Sequence, residues 1–173
     1  MLGPIWLSKP GEFSDTVAVP AYGVSQAVSW VGLTLLIVLV PVVARLRADR
    51  RSLPTWTVPL VQLALVLQAT AHFQQALPTT WLADVAPEVL NITNGGLFMW
   101  MMQGIQVVFL LVMVTFAVTL WWAGHSKIGA VLMMLGAIVT PVLGPIGAGV
   151  LAIGLGLVVL LARRASHHTS TQW

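Results

Sequence analysis

Three side chains able to make directional hydrogen bonds, Gln68, His72 and Gln75, recur at i, i+4 and i+7 within an otherwise apolar run. That spacing places them on one face of a helix. Gln103 and Gln106 stand at i and i+3 in a second apolar run, and Gln26 with Ser29 in a third. Amides and a neutral imidazole offer donors and acceptors without net charge. They suit helix-to-helix hydrogen bonds inside a membrane, or a polar pocket for a lipid headgroup, a quinone-like ring or a polar group of a partner. Met99 and Met102 precede Gln103 and share a face; with His72 they would offer thioether and imidazole ligands to a soft ion such as Cu(I). Methionine more often fills apolar space, so no metal and no cofactor is assigned.

Other chemistries lack their residues. Cysteine is absent, which removes disulfides, thiolate catalysis and cysteine-based metal centres. The sequence contains no G-x-S-x-G, no H-E-x-x-H and no glycine-rich phosphate loop. His125 falls at the opposite end of its apolar run from the level of His72, and His167 and His168 lie near the C-terminus, so no pair suits a haem iron. Asp84 and Glu88, four residues apart on one expected helical face, read as a solvated rim. Asn91-Ile92-Thr93 matches the glycosylation acceptor pattern, a short match that arises often by chance. No enzymatic activity is expected.

The elements that must carry these residues follow from composition. Of 173 residues, 58% are apolar and 8% charged, with a mean hydropathy of +0.92. A soluble domain has roughly 25% charged residues, so the sequence predicts an all-α integral membrane protein whose solvent is the bilayer. The net charge of +3 forms no dense basic stripe, and nucleic acid is not an expected partner.

Hydrophobic blocks at residues 23–44, 56–77 and 97–122 each meet the ~20-residue length of a spanning helix. Residues 1–21 lack the charged start and cleavage site of a signal peptide and are expected to be retained. Arg45, Arg47, Arg50 and Arg51 follow the first block, which makes that loop cytoplasmic and the N-terminus external. Trp81, Leu82, Val85, Val89 and Leu90 suggest a short interfacial helix on the outer side. Trp100 at one end of the third block and Trp121 and Trp122 at the other have the pattern of interfacial belts.

The last block, residues 128–162, would reach ~50 Å as one helix, against a hydrocarbon core of ~30 Å. Pro141, Gly144 and Pro145 must break it. Two short helices, 128–141 and 145–162, or one kinked and tilted span would both fit. The pair puts seven of the eight basic residues inside and leaves only Lys9 outside; it is preferred, as a full or re-entrant hairpin. Gly144, Ala148, Ala152 and Gly156 form a stripe of small residues that could dock on another span or receive a helix from another subunit. The expected whole is one compact domain, residues 1–165, of four to five transmembrane segments with the last block broken at Pro141–Pro145. A flexible tail at 166–173 would follow.

The functional expectation is a non-catalytic accessory or assembly subunit of a larger transporter-type or respiratory-type complex in the plasma membrane, its partners the bilayer and larger integral membrane subunits. The alternative is a small binding or carrier protein. It would hold a lipid, quinone or soft metal in an outer-leaflet pocket of Gln26, Gln68, His72, Gln75, Gln103 and Gln106.

Overall fold

The structure, a computed structural model, describes residues 13–45, 53–93 and 97–169, and every regular element in them is helical. In chain order these are α1 (Phe13–Ala18), α2 (Pro20–Arg45), α3 (Thr57–Gln74), a π turn (Gln75–Thr79), α4 (Thr80–Val85), α5 (Pro87–Thr93), α6 (Leu97–Trp122) and α7 (Lys127–Thr169). Three stretches are long and apolar enough to cross a membrane: Pro20–Val43, Trp100–Trp122 and Leu143–Ala162. Lys127–Pro141 is a shorter apolar helix. Gln62, Gln68, His72 and Gln74 make α3 more polar than the three.

Leu33 and Leu36 of α2, Leu65 of α3, Phe109, Met113 and Phe116 of α6, and Met133 and Leu151 of α7 meet in one core. Outward-facing positions are equally apolar: Val38, Leu63, Leu111 and Ile153 are each more than half exposed. That surface suits lipid. Exposed threonines on it are satisfied internally, because Thr34, Thr70 and Thr115 each donate their hydroxyl to the carbonyl four residues back, at 2.7–2.8 Å. At one end a smaller cluster of Phe13, Val17, Tyr22, Ala83 and Leu90 ties α1, α4 and α5 to the start of α2. The helix α1 is not marked in the sequence by any hydrophobic block.

Prolines account for the departures from plain helix. Pro41 sits inside α2 and has no N–H for the carbonyl of Ile37; Gln62 Nε2 of α3 donates to that oxygen at 3.3 Å. Pro78 likewise frees the carbonyl of Gln74, and the Thr79 hydroxyl donates to it at 2.9 Å within the π turn. Pro87 biases the residue before it away from the α region, and Ala86 takes φ −152°, ψ 63°. The expected single interfacial helix is therefore two short ones, and Asp84 and Glu88 do not share a helical face.

α6 ends in a Schellman motif: Gly124 adopts φ 91°, its N–H bonds Trp121 O at 3.0 Å, and the His125 N–H bonds Leu120 O at 3.0 Å. α7 then rises, reverses at Leu143 (φ −123°, ψ 32°) and Gly144 (φ 20°, ψ −89°), and returns. The reversal is fixed by contacts no continuous helix could make. A Cβ on Gly136 would stand 2.5 Å from Leu151 N, one on Gly154 2.7 Å from Met133 N, and one on Gly129 2.8 Å from Gly154 O. A Cβ on Gly147 would meet the backbone of Thr140. The pairs 129/158, 133/154, 136/151 and 140/147 are all symmetric about the Leu143–Gly144 bond, so the limbs Lys127–Pro141 and Leu143–Ala162 lie antiparallel. The single tilted span is excluded. α7 also continues through Thr169, so residues 166–169 of the expected tail are helical; no proline or glycine after Gly156 stops the helix.

Candidate functional site

The polar residues converge on the seam between α2 and α3. His72 is buried, and its Nδ1 lies 2.5 Å from Gln26 Oε1 of α2. Its Nε2 lies 3.2 Å from Gln68 Nε2, one turn earlier on α3. The Gln68 amide nitrogen can only donate, so Nε2 accepts, the ring proton sits on Nδ1, and Nδ1–H donates to Gln26. One imidazole thus joins two glutamines, with both ring nitrogens occupied. Further along the same seam, the Tyr22 hydroxyl donates to Gln75 Oε1 at 3.2 Å. With Gln62 on Ile37 O, α3 applies Gln62 and His72 to α2 and uses Gln68 to hold His72, and the π turn adds Gln75.

The reversal of α7 closes the seam. Gly144 packs so that an added Cβ would lie 3.0 Å from Ser29 Oγ and 3.8 Å from His72 Cε1. Ser29 is fully buried and donates to Ser25 O at 2.9 Å. Trp30 and Phe73, the neighbours of Ser29 and His72, bring their rings to 5.2 Å at the exposed edge of the same seam. One acceptor is left over: Gln68 Oε1 is buried without a hydrogen-bond partner.

Of the six residues expected to cluster, the structure links Gln26, Gln68 and His72, and sets Gln75 beside them on Tyr22. Gln103 and Gln106 are half-buried on α6 and join none of these bonds. Met102 is half-buried; the Met99 side chain, like that of Asn91 and Thr93, lies outside the described residues. Among the described residues no three His, Asp or Glu side chains stand together as metal ligands.

The small-residue stripe divides. Gly144 and Ala148 are used within the chain, whereas Ala152 is exposed and a Cβ on Gly156 would meet nothing within 4 Å. The close backbone approach instead runs through Gly129, Gly136, Gly147 and Gly154. Gly147 and Gly154 were not expected from the four-residue stripe; their signal is the seven-residue step 129/136 repeated as 147/154 beyond the break.

His125 is buried in the α6–α7 turn, and burial pulls its imidazole pKa below the usual value. Lys127 Nζ sits 5.9 Å from the Trp121 ring centroid beside it. A half-open groove of about 350 Å³ lies between α1, the start of α2 and α4, with Val17, Pro20, Gly23, Thr80 and Asp84 in its walls. It includes no residue of the seam. Set against family models, curated proteins and solved structures, the chain finds no match.

Proposed function

We propose that this protein is a non-catalytic accessory or assembly subunit of a larger integral membrane complex. The observation that carries the reading is the engagement of α3: its buried polar groups fasten α3 to α2, repair the proline break at Ile37 and hold His72 between two glutamines. Such groups act as internal glue. Meanwhile the surface that remains is apolar and partly smooth, with Gly149, Ala152 and Gly156 of the second α7 limb free of close neighbours. Smooth helix faces let a foreign backbone approach in lipid.

In this reading the bundle has five membrane segments: α2, α3, α6 and the two α7 limbs, the shorter limb making the pair re-entrant. The N-terminus is outside and the basic residues Arg45 to Arg51, Lys127, Arg163 and Arg164 face the cytoplasm of a plasma membrane. Native mass spectrometry of the protein extracted gently from its own membrane tests the role. Stoichiometric larger subunits are expected, and Ala152→Leu should release them while circular dichroism stays unchanged. A protein that emerges alone, or keeps every companion in the variant, would overturn it.

One observation favours a second reading, a small binding protein. Gln68 Oε1 is a buried acceptor awaiting a donor, as a hydroxyl-bearing ligand or a water would supply. Its test is ligand mass on the purified protein that vanishes in His72→Ala; equal mass in the variant removes it.

A further inference from the structure

We infer that the groove between α1, the start of α2 and α4 is a headgroup site for a lipid carrying a primary ammonium, of the phosphatidylethanolamine type, a role independent of any larger assembly. The groove encloses about 350 Å³, near the lower end of small-ligand pockets. The side chains in its walls can attract only a donor. Val17, Val19 and Ala83 offer carbon, Pro20 has no N–H, and the Thr80 hydroxyl already donates to Ala76 O at 2.7 Å and Leu77 O at 3.0 Å. What remains is the Asp84 carboxylate, set where α1 and α4 both end. The last carbonyls of a helix lack intrahelical partners and carry its negative pole, so the main chain adds to the same sign.

The chain does not neutralise that carboxylate itself. Among the described residues Asp84 makes no ion pair. Asp15, Asp84 and Glu88 all stand at this end of the bundle, while α2 and α6 both leave it and carry the chain to the other end, where Arg45, Lys127, Arg163 and Arg164 lie.

The kind of cation follows from the rest of the groove. Val19 in its wall, and Trp81 and Val85 on α4, are each more than half exposed, so the mouth opens onto apolar surface where α2 begins, and a lipid headgroup is the neighbour at that level. A primary ammonium brings three N–H donors to a carboxylate and carbonyls. A quaternary ammonium brings none and is held by aromatic faces; among the described residues no aromatic ring lines this groove. An anionic headgroup would meet Asp84 with no described cation between them.

Native mass spectrometry of the full chain, taken from bilayers of equal phosphatidylethanolamine, phosphatidylcholine and phosphatidylglycerol with the same acyl chains, is the test. The ethanolamine lipid should stay bound in preference to both others. Asp84→Asn should reduce that preference about threefold to tenfold. Ala18→Phe, which fills the groove and keeps the charge, should reduce it as well. Glu88→Gln, at the same end but outside the groove, should leave it intact. Equal retention of the three lipids, or a preference that Asp84→Asn does not change, would overturn the inference. So would a preference that emerges only after Lys9→Gln, since Lys9 of this chain would then be the cation that Asp84 meets.

Discussion

His72 with Gln26 and Gln68 shows what a polar residue does inside this bundle: both ring nitrogens are engaged, one across the helix boundary and one along it. Gln62 makes a sharper case, because its partner exists only through Pro41. Gln62→Leu should destabilise the protein by about 1 kcal/mol, since it leaves the Ile37 carbonyl bare. In a Pro41→Ala background, where residue 41 again has an N–H, the same change should be near neutral. Unfolding of the four proteins in detergent measures the difference; equal losses in both backgrounds would contradict the repair role. His125 adds a pH dependence. Its folded pKa is lowered by burial, so below the usual imidazole pKa of about 6.5 the unfolded chain binds the proton first. Stability should then fall as the pH drops through that value, and level off once the folded ring is protonated too. Melting temperatures from pH 7.5 to 5 should show the decline, and His125→Gln should flatten it.

At the scale of the elements, the reversal of α7 depends on glycines where limb meets limb. Gly136→Ala puts a Cβ 2.5 Å from Leu151 N and should destabilise by about 1–3 kcal/mol. Gly149→Ala on the same helix meets nothing and should be neutral, or stabilising by up to about 1 kcal/mol through helix propensity. Equal effects of the two would deny the close seam. The limits of what the residues reveal also appear here. The third block matches α6 at both ends, since Trp100 and Trp121–Trp122 bound an uninterrupted apolar run. The face shared by Gln68 and His72 was legible from period alone, and its pairing with Gln26 from shared depth. Gln103 and Gln106 were expected at the same depth, but α6 is apolar along most of its length, so little in its pattern fixes its rotation about its own axis. The partners of Gln62 and Thr79 are backbone carbonyls freed by Pro41 and Pro78, a relation visible only once helices are neighbours. Gly147 and Gly154 acquire meaning only when the centre of the reversal is known.

For the whole molecule, the last block determines how the chain sits in a bilayer. A block that doubles back at Leu143–Gly144 returns its end to the side on which it began, with Lys127, Arg163 and Arg164 on one face. The same arrangement brings the α7 reversal against Ser29 and His72 and closes that part of the α2–α3 seam. The most direct test places single cysteines at Ser126 and Ser166, either side of the block, and labels each in sealed right-side-out and inverted vesicles with a membrane-impermeant maleimide. The account predicts that both label only in inverted vesicles. Labelling of the two from opposite sides would contradict it.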